Sequence, residues 1–422
     1  MNLPKHVHMV GIGGIGMSAL AQFLAHKGVV VTGSDKEKSP TTELLHAKGI
    51  EATIGDSGVP EEAELLVYSD AVPEDNPERV EATTRGIEQK TYFQMLGEVS
   101  RGMRTLVVAG TNGKTTTTGM VAKILIDAGV SPTVIVGSIV TDFGSNFVAG
   151  ESDIFVVEGC EYRDHVLELS PEVLVITNIE LDHTDYFASL GALEKTFRTI
   201  AEKVPETGTI VANPGDAAVG RVLEGAKASV VDYTHMAVGD VKLPGEFNRE
   251  NARAALAAAL AIHPKLSKEA AILSLSQFNG SWRRFEYKGE TPQGALVYDD
   301  YAHHPTAVRK TIEAAREKFP QKRLVVAFHP HLYSRTKSFI DEFATVLALP
   351  DRTLIAPIYA ARETPDPTVS HQLLADRAGE TVEALGSLDE IREALLQEPE
   401  GTVIITMGAG DIYKVATQLT HE

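Results

Sequence analysis

The residues with the clearest chemistry are Gly110-Thr111-Asn112-Gly113-Lys114-Thr115-Thr116-Thr117-Thr118, which follow the apolar run Val107-Val108-Ala109. The order reads as a strand, a tight glycine turn and a new helix. Glycines let backbone N–H groups converge on an anion, and the helix points its positive end at it. Lys114 would reach terminal phosphates, and a threonine hydroxyl would hold Mg²⁺. The loop is shorter than the common phosphate loop, which wants a glycine where Val108 stands. The plain alternative is a strand–turn–helix with a solvated lysine. The order of strand, glycines, lysine and hydroxyls favours nucleotide phosphate.

Acids and a histidine fall at two later strand ends. Asp153 to Val157 reads as a buried strand ending at Glu158, then Gly159-Cys160-Glu161-Tyr162. Val173 to Thr177 reads as another, ending at Asn178-Ile179-Glu180-Leu181-Asp182-His183. Mg²⁺ takes few protein ligands plus phosphate oxygens, so Glu158, His183 and a threonine would suffice. An isolated histidine is more often a core or capping group; a strand-end place among acids points the other way. Asp182 and Glu161 stand behind them as candidates to orient those ligands. Asn248 and Asn251 share one helix face and would offer amide groups to a purine edge. Taken alone, an N-cap plus a solvated asparagine is the plainer reading.

A second glycine loop lies near the start. Val7 to Val10 reads as a strand, Gly11-Ile12-Gly13-Gly14-Ile15-Gly16 as its turn, and Met17 to His26 as a helix. Val29 to Thr32 follows as a strand that leads to Asp35. This is a βαβ unit with an acid about 20 residues past the loop, and it would seat a diphosphate at a helix N-terminus. A dinucleotide oxidoreductase is the plain reading. The section is too short for both halves of a dinucleotide domain, and one half suits a ligand with one nucleoside diphosphate. Leu65 to Tyr68, with Ser69 at its end, either lines a ligand crevice or is a simple strand end.

The last third alternates strands and helices: Leu296 to Tyr298, Leu324 to Phe328, Leu354 to Pro357 and Val403 to Thr406. Their ends carry Asp299-Asp300-Tyr301-Ala302-His303-His304 and His329-Pro330-His331-Leu332-Tyr333-Ser334-Arg335. Ligands of open α/β sheets bind outside the carboxyl ends of strands, where these clusters fall. The four histidines lack a tetrahedral zinc spacing. They serve better as substrate contacts near Arg335, a carboxylate or phosphate binder. Arg283 and Arg284, at the joint before this section, would reach phosphate or form an exposed charge pair.

These elements predict an α/β protein of about three domains, divided near 1–97, 98–286 and 287–422. The chain has 422 residues, 43% hydrophobic and 23% charged, as in an ordinary globular protein with an ample core. A net charge of −19 argues against a nucleic-acid or anionic-membrane surface. One cysteine, Cys160, forbids an intrachain disulfide and fits a reducing compartment. No signal peptide is read at Met1 to Lys5. No apolar stretch reaches the ~20 residues of a membrane helix, so no membrane insertion is expected.

The ordered motifs G-I-G-G-I-G-M-S, G-T-N-G-K-T-T, T-N-I-E-L-D-H, G-E-F-N-R-E-N, R-R-F-E, D-D-Y-A-H-H-P-T and P-H-L-Y-S-R-T-K resemble the Mur ligases of peptidoglycan synthesis, over nearly the whole chain. The resemblance implies a Rossmann-like N-terminal UDP-sugar domain, a central P-loop ATPase-type α/β domain and a Rossmann-like C-terminal amino-acid domain. It implies ATP-dependent amide formation, in which the lactyl carboxylate of UDP-N-acetylmuramate becomes an acyl phosphate and is attacked by L-alanine. ATP and Mg²⁺ are the implied cofactors. The partners implied are those small molecules alone, acting on a cytoplasmic monomer or homodimer. Carried over by motif, Gly110, Thr111, Asn112, Gly113, Lys114, Thr115 and Thr116 would hold ATP phosphates. Asn248 and Asn251 would face adenine, Asp299 the ribose, and Arg284 would belong to the same ATP site. Thr115 and Glu158 would hold one Mg²⁺ and His183 a second. Gly11, Gly13, Gly14, Ile15, Gly16, Asp35 and Ser69 would meet the UDP part, and Tyr301, His303 and Arg335 the amino acid.

Several positions depart from the nearest branch of that family. Asn112 stands where His is common and Cys160 where Asp is, and Tyr162-Arg163 alter the stretch just beyond. Phe247 stands where His is frequent. Leu332 stands where an arginine often helps hold the amino-acid carboxylate, which leaves Arg335 to act alone. A ligase that adds a preformed peptide in wall recycling stays open as a sibling reading. An oxidoreductase and a nucleotide-binding regulator are the readings from other classes.

Overall fold

A computed structural model describes residues 3–361 and 363–420. Met1 and Asn2, within the stretch where no signal peptide is read, lie outside them. The chain forms two compact units. One holds the residues up to Ile179, Leu193–Gly239 and Asn251–Ser276. The other holds Glu180–Ala192, Asp240–Glu250 and the residues from Gln277 on.

The first unit contains two sheets. In the first, five parallel strands run in the order Glu51–Ile54, Val30–Asp35, His6–Val10, Leu65–Tyr68, Glu88–Thr91. The order reverses between His6–Val10 and Leu65–Tyr68, and a crevice opens at such a reversal. Gly11 to Gly16 and Ser69 lie at the carboxyl ends of those two strands. Helix Ile15–His26 starts two residues earlier than expected and buries Met17 to Leu24.

The second sheet has seven strands, in the order Ser229–Asp232, Thr209–Ala212, Val173–Ile176, Arg104–Ala109, Ile154–Glu158, Thr133–Val140, Ser145–Val148. Only the last pair is antiparallel. Arg104–Ala109 sits in the middle with Leu106 to Ala109 fully buried, as its near-continuous apolar run requires in a sheet covered on both faces.

The second unit holds one sheet, ordered Glu286–Glu290, Leu296–Asp300, Thr402–Met407, Arg323–Phe328, Arg352–Ile355, Val382–Ala384. Alternate residues of Arg323–Phe328 serve two cores. Val326 and Phe328 pack with Val308 and Phe343, while Val325 and Ala327 pack with Ile391 and Ile412. The antiparallel edge strand Glu286–Glu290 has no clear sequence signal, because Gly289 and three charged residues interrupt it. Helix Glu246–Ile262 carries both Asn248 and Asn251. Among the described residues, no helix is long and apolar enough to cross a membrane.

Candidate functional site

The loop at 110–113 is shaped by the neighbouring strand end. Gly110 and Gly113 take φ of +129° and +86°. A Cβ on Gly110 would collide with Thr177 Oγ1, and one on Gly113 with Asn251 Oδ1. Thr111 N–H donates to the Asn178 carbonyl at 3.0 Å, and Asn112 N–H to Asn178 Oδ1 at 3.0 Å. Thr177 Oγ1 and Asn178 Nδ2 donate to the Asn112 carbonyl at 2.6 and 3.0 Å. Helix Lys114–Asp127 follows, and no side chain caps its first turn. Asn112 Nδ2 is buried with no acceptor among the described residues. A spare buried donor beside an uncapped helix start suits an anion such as a nucleotide phosphate.

Lys114 and Thr115 open that helix and meet two acids, Glu158 at the end of strand Ile154–Glu158 and Glu161 just beyond it. Lys114 Nζ lies 3.0 and 2.9 Å from the Glu161 oxygens and 2.5 Å from the Gly110 carbonyl. Burial works to lower the ammonium, but Glu161 outweighs it, so Lys114 titrates above an ordinary lysine. Thr115 Oγ1 donates to Glu158 Oε1 at 3.0 Å, and Gly137 N–H to Glu158 Oε2 at 2.8 Å. Cys160 is held as a thiol: burial, then Glu161, push it up to about 12.

The first loop is equally constrained. Gly11 and Ile12 N–H donate to the Ser34 carbonyl at 2.9 and 3.0 Å. Gly13 N–H donates to Asp35 Oδ2 at 2.8 Å, so the acid expected to meet the UDP part also shapes the loop. Gly14 is the N-cap of helix Ile15–His26. A Cβ on Gly16 would lie 2.6 Å from Tyr92 Cζ. Two cavities open here. One of about 370 Å³ is lined by Gly11, Gly13, Ser34, Asp35 and Ser69. The other, about 390 Å³, reaches from Gly14–Gly16 past Tyr92, Phe93 and Tyr162 to Glu158. Sequence reasoning missed Tyr92 and Phe93, which carry no motif. It also missed Asn146, whose Nδ2 donates to the Ile15 carbonyl at 2.5 Å and ties this loop to the second sheet.

In the second unit, Asp182 and Arg335 pair. Arg335 Nε and Nη2 donate to Asp182 Oδ1 at 2.9 and 2.7 Å, and His183 N–H donates to the same oxygen at 2.6 Å. Arg335 Nη1 lies 3.1 Å from His331 Nδ1. Burial would raise the Asp182 carboxyl, but Arg335 and the nearby histidines hold it well below the usual range. His183 takes φ +52° and Leu332 φ +70°, conformations that non-glycine residues seldom adopt. His303 Nδ1 lies 2.8 Å from the Tyr301 carbonyl, which can only accept, so Nε2 carries the lone pair. Burial and then Arg335 press His303 far below an ordinary histidine, and the ring is neutral.

Other expected residues are placed less openly. Arg283 is buried: Nε donates to Asp299 Oδ2 at 2.7 Å, and Nη1 and Nη2 to the carbonyls of Gly410 and Gly408. It is not the exposed charge that its sequence allowed. Asp299 Oδ1 accepts from Thr406 Oγ1 at 2.5 Å, so both its oxygens are engaged. The Arg284 guanidinium stands 5.1 Å from the Tyr301 ring centre. Asn248, in the second unit, donates to the Pro244 carbonyl at 2.7 Å; Asn251 belongs to the first unit. Both are buried within a helix, so neither is a solvated asparagine. Thr111 is buried on the loop at 110–113, and Thr116 is buried in the first turn of helix Lys114–Asp127. Lys114, Thr115, Glu158 and Asn251 thus gather in one unit, and His183, Tyr301, His303 and Arg335 fall in the other.

The comparisons with known proteins agree along the chain. A family model for the Mur ligase family, catalytic domain, matches residues 6–104; the Mur ligase middle domain matches 108–240; the Mur ligase, glutamate ligase domain, matches 283–410. A UDP-N-acetylmuramate–L-alanine ligase of Desulfitobacterium hafniense is 39% identical over 99% of this chain and 100% of its own. The crystal structure of a UDP-N-acetylmuramate-alanine ligase from Thermotoga maritima superposes with TM-score 0.80 at 27% identity, covering 98% of each chain. A murein peptide ligase from Psychrobacter arcticus superposes with TM-score 0.71 at 26% identity, again over 98% of each.

Proposed function

Because this chain belongs to the Mur ligase family, with its three-domain α/β fold, we propose that it is the ATP-dependent ligase that joins L-alanine to the lactyl carboxylate of UDP-N-acetylmuramate in peptidoglycan precursor synthesis. One observation carries the reading. The cavity that starts at Gly14–Gly16 ends at Glu158, which bonds Thr115 beside Lys114. A nucleotide sugar with its diphosphate at the first loop would extend its carboxylate toward the acid where metal and ATP phosphate are to be held. We divide the chain accordingly: 1–97 for the nucleotide sugar, 98–286 for ATP, 287–422 for the amino acid.

The chemistry needs cations between anions. A carboxylate is a poor electrophile until its oxygen bonds to phosphorus and ADP leaves. Amine attack then forms the C–N bond and expels phosphate. Lys114 would neutralise charge between carboxylate and terminal phosphate, which lowers the barrier mainly by positioning and electrostatics. Thr115 and Glu158 offer the hydroxyl and carboxylate that Mg²⁺ uses with phosphate oxygens, and His183 would hold a second ion. Among the described residues, no three of His, Cys, Asp and Glu converge to hold a metal ion. The loop at 110–116 with Asn248, Asn251, Arg284 and Asp299 would bind ATP. Tyr301, His303 and Arg335 would bind L-alanine. The cytoplasm is the compartment proposed for this reaction.

The test is phosphate release from ATP. It should require UDP-N-acetylmuramate and L-alanine together, and ADP formation indifferent to both would end this reading.

A further inference from the structure

Asp182 has two oxygens with unequal lives. Oδ1 accepts three donors: Arg335 Nε at 2.9 Å, Arg335 Nη2 at 2.7 Å and His183 N–H at 2.6 Å. Oδ2 meets no hydrogen-bond donor among the described residues, although the side chain is only 8% exposed. A carboxylate oxygen so placed retains full acceptor capacity with little water to fill it. Arg335 is similarly half-used. Of its five N–H bonds, two go to Asp182 and one faces His331 Nδ1 at 3.1 Å. Two remain on Nη1 and Nη2.

Resting on the ligase reading above, we propose that Asp182 and Arg335 form one recognition unit for a free α-amino acid: Arg335 takes its carboxylate, and Asp182 Oδ2 takes its α-ammonium. The protein pair has a negative and a positive group side by side, fixed by two hydrogen bonds. A zwitterion has the same two charges side by side. Laid against the pair in opposite order, each charge meets its opposite, and like charges stay on the diagonals. This also accounts for the tolerance of Leu332, where an arginine is frequent. A single guanidinium, pre-oriented by Asp182, loses little freedom on binding, and the ammonium supplies the second anchor. The arrangement disfavours a peptide, whose first residue keeps the ammonium and has an amide in place of the α-carboxylate.

Asp182→Asn separates this role from mere support of Arg335. Asparagine retains an oxygen acceptor for Arg335 and His183 and puts an NH₂ group where the ammonium would sit. L-Alanine would be measured by its KM in phosphate release. Propionate, which has the carboxylate alone, would be measured as a competitor. The expected result is a KM for L-alanine raised about 10- to 100-fold, with propionate inhibition and the KM for ATP within about twofold of wild type. Parallel weakening of L-alanine and propionate, or an unchanged KM for L-alanine, would overturn the proposal. If Asp182→Asn does not fold, Asp182→Glu, which shifts the free oxygen by one methylene, must show the same split. Wild-type protein that binds and ligates an L-alanyl peptide as well as L-alanine would overturn the zwitterion unit alone. No amino-acid-dependent phosphate release from wild type would instead overturn the ligase reading and this inference with it.

Discussion

Lys114 is clasped by Glu161, with Nζ 3.0 and 2.9 Å from the two carboxylate oxygens and the Gly110 and Thr111 carbonyls closing its shell. Four acceptors on one ammonium fix its position behind the loop and keep it charged. A lysine so held meets phosphate as a positioned point charge. Lys114→Ala should therefore lower kcat roughly 100- to 1,000-fold, as loss of a transition-state charge contact does. Glu161→Gln keeps hydrogen bonding and removes the counter-charge, so a smaller loss, about tenfold, is expected. Phosphate release under saturating substrates reads both. A Lys114→Ala protein with kcat within a few-fold of wild type would mean that the lysine serves only its own loop.

Glu158 divides its oxygens between the Thr115 hydroxyl at 3.0 Å and the Gly137 N–H at 2.8 Å. The second bond aims the carboxylate, and the first marks where a cation would bring both oxygens into one shell. Thr115→Ser should retain activity, because the hydroxyl stays. Thr115→Val, similar in shape, should raise the Mg²⁺ needed for half-maximal rate by about tenfold or more, as should Glu158→Gln. The readout is a Mg²⁺ titration at fixed ATP. Unchanged midpoints in both variants would remove these residues from the metal site.

What the sequence discloses about this site is local; what it withholds is tertiary. The glycine loops and the acids at strand ends are legible because hydrophobic runs, glycines and polar ends fall in order along the chain. The partners of those residues are not. Glu161 lies 47 positions from Lys114, and Asp182 lies 153 from Arg335. Arg283 shows the limit most plainly. Beside Arg284 it reads as half of a charge pair, yet it takes φ +59° and turns inward onto Asp299. Its neighbours in space, Gly408 and Gly410, come from a strand end more than a hundred residues on. The edge strands Ser145–Val148 and Glu286–Glu290 escape for another reason: each is four or five residues long, with no sustained alternation.

Gly16 has a physical reason to be glycine. An added Cβ would stand 2.6 and 2.7 Å from Tyr92 Cζ and Oη, and Tyr92 is the first residue of helix Tyr92–Arg101. Gly16→Ala must push that ring or its own helix, at about 1–3 kcal/mol. The strain falls on a wall of the cavity that leads to Glu158. The KM for the nucleotide sugar should rise while that for ATP stays near wild type. Tyr92→Leu in the same protein should recover part of the loss by making room. Equal effects on both KM values would place the damage in overall folding.

Glu78 supports the first loop from beneath, and its charge makes that support depend on pH. Its side chain is 1% exposed. Oε1 accepts from His8 Nε2 at 3.2 Å and Ser57 Oγ at 2.8 Å, and Oε2 from Ser34 Oγ at 2.5 Å. Ser34 in turn gives its carbonyl to Gly11 and Ile12. Burial alone would raise the carboxyl, but the bonds from His8, Ser34 and Ser57 outweigh it and bring it from 4.5 to about 2. A carboxyl depressed on folding stabilises the native state above its unfolded value and loses that contribution as pH falls through its folded value. The contribution is present above about pH 4.5 and fades toward pH 2, with an upper bound of about 3 kcal/mol. Glu78→Gln removes the titration. In urea unfolding, wild type should exceed the variant most near pH 7, and the gap should narrow steadily from pH 5 to pH 3. A gap that stays constant over that span would show that folding does not depress the Glu78 carboxyl.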